Sequence, residues 1–123
     1  MKHKIVYNSD FGGYSLSDKA INWLEEHGSD KTKKFIAQKR IEANEKTINN
    51  STKIFYVMDA LRYFLERHNP DLVAVVEALG KEVNDTFSSL AIEEIDGDEY
   101  IIEEYDGRET VVTPEDICWT VIS

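Results

Sequence analysis

Two Asp-Gly pairs ten residues apart constrain this chain more than any other feature. Residues 92–110 read IEEIDGDEYIIEEYDGRET, so that Ile92-Glu93-Glu94-Ile95-Asp96-Gly97 returns as Ile102-Glu103-Glu104-Tyr105-Asp106-Gly107. Asp-Gly between alternating segments is the strongest short-range hairpin signal, because a tight type I′ turn needs positive φ at both central residues. Leu90–Ile95, Glu99–Tyr105 and Arg108–Val112 are therefore expected to form three strands of an acidic antiparallel meander over residues 90–112. With strict two-residue loops, Glu94 faces Glu99 and Glu104 faces Glu109. Like charges directly opposite one another destabilise a ladder. Either the turns are longer or bulged, or a cationic partner removes the repulsion.

Upstream, the pattern changes from alternation to helical spacing. Lys4–Tyr7 reads as a short strand and Asn8–Tyr14 as a loop loosened by Gly12-Gly13. Ser17 is placed to cap a helix, Leu16 to staple onto Ile21, and Gly28 to end it. Ala20, Ile21, Trp23 and Leu24 form its apolar side. Residues 29–53 are hardest to read: Phe35, Ile36, Ile41 and Ile48 make a thin stripe among charges, consistent with a charged helix or a mobile insertion. Ile54–Arg67 has apolar residues, among them Phe55, Met58, Leu61 and Leu65, at three- and four-residue steps, which predicts a helix. Asn69-Pro70 caps and starts another helix, with Leu72, Val73, Val75, Val76 and Leu79 as its stripe and Gly80 as its end. Thr113–Asp116 reads as a cap and first turn, followed by a tail in which Cys118, Trp119, Val121 and Ile122 pack back on the sheet. The expectation is one α+β domain over 1–123, an antiparallel meander with helices on one face.

Charge placement says more than net charge. Residues 1–89 hold 13 acidic and 13 basic side chains, whereas residues 90–123 hold 11 acidic residues and one base, Arg108. The whole excess of −10 therefore lies at the acidic end. The basic middle, with Lys31, Lys33, Lys34, Lys39, Arg40, Lys46 and Lys53, could meet the acidic end of a second copy and give a homodimer. Free nucleic acid is repelled by the acidic end, while a basic protein surface is attracted. No apolar run suits a membrane span or a signal peptide, and the single Cys118 makes no internal disulfide, so a reducing cytoplasm is expected.

Specific chemistry is sparse. Asp96-Gly97-Asp98-Glu99 has its glycine in the wrong place for a calcium loop. His3, His27 and His68 share no metal-ligand spacing, and Cys118 has no local activating partner. Neither a metal, a cofactor nor a catalytic residue is expected. Gly12 and Gly13, followed by Ser15 and Ser17 at a helix start, have the outline of an anion site, although the spacing matches neither the dinucleotide fingerprint nor the P-loop. In that reading Arg62, Arg67 or Arg108 supplies counter-charge, and Tyr7, Phe11 or Tyr14 stacks on a base.

Taken together, Lys4-Ile5-Val6-Tyr7-Asn8 with Gly12-Gly13-Tyr14-Ser15-Leu16-Ser17, Pro70–Gly80 and the Glu-Tyr-Asp-Gly run ending at Gly107 resemble a family of small uncharacterised bacteriophage and prophage proteins. Asp10-Phe11 and Ile117-Cys118-Trp119 depart from that pattern. The resemblance implies a phage-like origin and the cytoplasm of an infected bacterium. By association it suggests a non-catalytic anti-defence inhibitor, for example of a CRISPR effector, that blocks a basic nucleic-acid-binding groove of a host protein. Glu93, Glu94, Asp96, Asp98, Glu103, Glu104, Asp106 and Glu109 would carry that contact. The alternatives are a binder or sponge for a nucleotide second messenger at the Gly-Gly loop, and a homo-oligomeric phage regulatory protein.

Overall fold

The computed structural model describes residues 2–46, 49–85 and 88–116. Strand β1 (Lys2–Asn8) is followed by helices α1 (Asp18–His27), α2 (Asp30–Glu45), α3 (Asn50–Phe64) and α4 (Pro70–Leu79). A 3-10 turn over Gly80–Val83 leads to β2 (Leu90–Asp96), β3 (Ile101–Tyr105), β4 (Arg108–Val112) and a last 3-10 turn over Pro114–Asp116. The class is α+β, as expected. No helix among the described residues is long and apolar enough to cross a membrane.

Local chemistry sets the helix ends. The Ser17 hydroxyl accepts from the Ala20 amide and begins α1; Asn49 accepts from Thr52 and begins α3; Asn69 accepts from Asp71, with Pro70 at the first helical position, and begins α4. Each cap satisfies an amide that the helix itself leaves without a partner. The polar Asn49–Thr52 stretch is thus a helix start.

Residues 30–45 form a full helix packed into the domain. Its buried positions are Thr32, Ile36 and Ala43. Two of these three are small or polar, which is why the stripe is faint in the sequence. Ser29 caps this helix and is itself tied to α4: the Asp71 carboxylate accepts from the Ser29 amide, the Ser29 hydroxyl at 2.7 Å and the Thr32 hydroxyl at 2.6 Å. Burial works against that charge, but these hydrogen bonds outweigh it and hold the Asp71 carboxyl below its usual range.

The main core joins the four helices to one face of β1. Ile21, Leu24, Ile36, Val57, Leu61, Leu65, Leu72 and Val75 are all essentially inaccessible. Phe55, placed by spacing with the buried stripe of α3, is instead 58% exposed.

The strands form two antiparallel ribbons, β1–β2 and β3–β4, and not one meander. Only the second Asp-Gly pair makes a hairpin. Asp106 and Gly107 have φ of 50° and 89°, with Tyr105 opposite Arg108, as a type I′ turn requires. At the first pair the chain leaves β2 and crosses to the other ribbon without β2 and β3 pairing. Electrostatics accounts for the choice. Pairing β2 with β3 would set Glu94 against Glu99, whereas pairing β2 with β1 sets Glu94 opposite Lys4 and Asp96 opposite Lys2. A small apolar cluster, Ile5, Ile95 and Val111 with Tyr7, Tyr100 and Ile102 around it, fills the space between the ribbons. The tail residues Cys118, Trp119, Val121 and Ile122, and Ile48 in the middle, lie outside the described residues.

Candidate functional site

The most elaborate side-chain arrangement lies where the second ribbon meets β1. Arg67, in the link between α3 and α4, forms a two-pronged ion pair with Glu109 of β4: Nη1 to Oε1 at 2.6 Å and Nη2 to Oε2 at 2.8 Å. Glu109 is only 7% exposed, and its Oε1 also accepts from the Asn8 amide at 2.8 Å. The Arg67 carbonyl accepts from the Val6 amide at 2.9 Å. Backbone and side chains of Arg67 and Glu109 therefore satisfy alternate amides on the free edge of β1, where a neighbouring strand would otherwise sit. Arg67 also covers Tyr14, its guanidinium carbon 3.7 Å from the ring centroid. Burial opposes the Arg67 charge, but the hydrogen bonds to Glu109 prevail and hold its pKa above the ordinary value.

Asn8, fully buried, completes the joint. Its Nδ2 donates to the Asp10 and Gly107 carbonyls at 2.7 and 2.8 Å, and its Oδ1 accepts from the Ser89 amide at 2.7 Å. One side chain thus fixes the Gly-Gly loop, the tip of the second ribbon and the entry to β2. Tyr14 is buried beside it, and its hydroxyl makes no hydrogen bond to a described residue. Burial pushes that phenol up to about 12, with Arg67 opposing and Glu109 reinforcing the shift.

Above this joint runs a cleft of about 370 Å³, with Phe55, Met58 and Arg62 of α3 on one wall and Gly12, Gly13, Glu104 and Gly107 opposite. The glycine pair has φ of 121° and 94° and packs directly on the ribbon tip. A Cβ on Gly107 would lie 2.5 Å from the Gly13 nitrogen and 2.8 Å from that of Gly12. The Ser15 hydroxyl bonds Asp85 at 2.5 Å, and the Ser17 hydroxyl accepts from Ala20 and donates to the Glu82 carbonyl. Gly12 and Gly13 are thus packed against backbone and Ser15 and Ser17 are hydrogen-bonded within the fold, while Asp85, Glu104 and Glu109 line the same space. The loop is packed as a joint, and Arg62 as well as the three carboxylates lines the space beside it.

The eight carboxylates expected to act together are divided. Glu93, Glu94 and Asp96 flank a hollow of about 450 Å³ that Glu115 and Asp116 also line. Asp98 lies by His3, His68 and Tyr100 at a smaller hollow of about 190 Å³. Glu103, Glu104 and Asp106 belong to the second ribbon. Glu109 is a correction: it faces inward to Arg67 and offers no surface to a partner, because it shares the inward face of β4 with Val111. The other seven are exposed and lie in no ion pair among the described residues.

Sequence reasoning missed the partnership itself. Arg67 and Tyr14 were expected as ligand contacts and Asn8 as an ordinary loop residue. The available signal was the alternation of Glu109 and Val111, which puts a carboxylate on the apolar side of a strand and so demands a buried cation. Compared with models of protein families, with curated proteins and with solved structures, this chain matches none.

Proposed function

We propose that this is a non-catalytic binding protein of phage type whose acidic ribbons occupy a basic surface on a host protein, such as the nucleic-acid-binding groove of a defence effector. The observation that carries the reading is the pairing pattern of the charges. Glu93, Glu94, Asp96, Asp98, Glu103, Glu104 and Asp106 are exposed and form no ion pair among the described residues, with only Glu94 and Asp96 facing lysines across the ladder, while Glu109 is neutralised internally. Unpaired like charges on a small scaffold cost stability, and a basic partner recovers that cost while the field speeds encounter.

The test is capture of host proteins from bacterial lysate by the wild type and by a variant with Glu93, Glu94, Glu103 and Glu104 changed to lysine. A nucleic-acid-binding protein should be retained at low salt, released at high salt and lost with the variant. Retention by a folded variant, with the same salt dependence, refutes the reading.

A second reading, homo-oligomerisation, is favoured by one observation. Lys31, Lys33 and Lys34 at the start of α2 also lack ion pairs among the described residues. Sedimentation at low and high salt decides it, since contact between these lysines and the ribbons of a second copy should dissociate as salt rises.

A further inference from the structure

Several exposed apolar side chains lie at or beside two adjoining clefts, although Ile41 and Phe64 line neither. Exposed Phe55 lines the cleft between α3 and the tip of the second ribbon, with the mostly buried Met58 beside it; Phe11 and Tyr105 flank its glycine and Glu104 walls in sequence; Tyr63 and Ile101 line an adjoining cleft that shares Arg62. Phe55, Tyr63 and Tyr105 are 58%, 77% and 79% exposed. Aromatic side chains left in water around a concavity, rimmed by charge, are the composition of an interface centre.

We propose that this cleft is the anchor of the binding surface and receives an arginine or lysine side chain of the partner, its stem laid on Phe55 and Met58 and its charge beside Glu104. The inference rests on the acidic-surface reading above and locates it. Glu104 stands opposite Glu109 across the ribbon, and both line the cleft. Arg67 pairs with Glu109, which leaves Glu104 as a carboxylate next to a second carboxylate and with no ion pair of its own among the described residues. The Glu104 Oε1 accepts from the Gly107 amide at 3.2 Å, which holds the side chain at the ribbon tip. Arg62 lines both this cleft and the adjoining one, its guanidinium carbon 5.6 Å from the Tyr63 ring centroid. Tyr14 also lines this space, its hydroxyl buried and without a hydrogen-bond partner among the described residues. A long cationic side chain fits this mixture because its methylenes accept apolar walls while its head needs a carboxylate, and an exposed aromatic face adds attraction for the cation.

The experiment is a titration of the isotope-labelled full chain with a capped hexa-arginine peptide at low salt, followed by amide NMR, and in parallel with inorganic phosphate. The amides of Gly12, Gly13 and Gly107 should shift saturably with the peptide and not with phosphate. Phe55→Ala and Glu104→Gln should each weaken binding by about threefold or more, whereas Glu93→Gln with Glu94→Gln should leave those shifts in place. Phe55 is exposed, and glutamine keeps the acceptor for Gly107, so both variants should fold. Shifts confined to the first ribbon overturn the cleft and leave the acidic-surface reading standing. Phosphate moving the same amides, or indifference to Phe55→Ala and Glu104→Gln, overturns the cationic anchor. No saturable shift anywhere removes both readings.

Discussion

Glu104 and Glu109 face each other across the second ribbon, yet among the described residues only Glu109 has a counter-ion, Arg67, which reaches it from the link between two helices. The like-charge pair that the repeat implies is therefore present, and half of it is resolved inside the molecule. The division separates a carboxylate that holds the fold from one that faces outward.

The inner half should be costly to break. Arg67→Ala leaves Glu109 buried without a counter-charge and removes a donor from Asn8's neighbourhood, and is expected to cost about 3–5 kcal/mol. The paired change Arg67→Met with Glu109→Leu should recover only part of that loss, because two apolar groups need no solvation but the buried Asn8 amide then loses its acceptor. Urea denaturation of the three proteins measures this, and a loss below about 1 kcal/mol for the single variant would show that the pair contributes little.

Asp71 should make stability depend on acid. Its folded carboxyl is held below the unfolded value, so its contribution is complete above the unfolded carboxylate range, around pH 4, and is lost as pH falls through the folded pKa. Asp71→Ala leaves the Ser29 amide and the buried Thr32 hydroxyl without that acceptor, a loss on the order of 1–3 kcal/mol near neutrality. The gap between variant and wild type should close on acidification. A gap that stays constant from pH 7 to pH 3 contradicts this assignment.

Gly107→Ala and Gly97→Ala separate two reasons for a glycine. Both positions have positive φ, but a Cβ at residue 97 meets open space, whereas one at residue 107 strikes the Gly12-Gly13 backbone. Strain alone should cost about 1–2 kcal/mol at Gly97, and Gly107→Ala should cost clearly more. Equal melting temperatures for the two variants would mean that the loop moves away freely.

Tyr14 should be visible in alkali. Its folded phenol ionises at about 12, against 10.0 unfolded. The sign follows: stability is full below pH 10 and declines as pH rises through that window. Tyr56 and Tyr100 are also shifted upward, so ultraviolet titration should show several of the six tyrosines ionising late, with a step near pH 12 that is absent from Tyr14→Phe. Because the hydroxyl has no described partner, Tyr14→Phe should be neutral or slightly stabilising near pH 7. A loss above about 1 kcal/mol would reveal a hydrogen bond at that oxygen.

What could be read from the chain divides along physical lines. The helices beginning at Ser17 and Asn69 were legible because a capping side chain, a dense apolar stripe and a terminal glycine agree. Helix α2 was not, since Thr32 and Ala43 fill core positions that a hydrophobic pattern does not count. The hairpin at Asp106-Gly107 was legible as a turn. Asp96-Gly97 has the same residues but a different outcome, because Lys2 and Lys4, about ninety residues away in sequence, offer β2 better cross-strand partners than Glu99 does. Local signals cannot weigh a competitor that distant. The buried role of Glu109 was hidden for a similar reason: alternation points it inward, but the cation that permits this belongs to another part of the chain.

The way Arg67 and Glu109 stand between β1 and β4 has a consequence for how the molecule opens. A continuous sheet would lock all four strands through shared backbone hydrogen bonds. Here the second ribbon is fastened by an ion pair, the Asn8 bond to the Gly107 carbonyl and a small apolar cluster. It can unbutton as a unit while β1 and β2 stay zipped against the helices. Its peptide hydrogens should therefore exchange with solvent earlier than those of the first ribbon, and the acidic hairpin at Asp106-Gly107 is the part of the surface able to adjust its angle to whatever it meets.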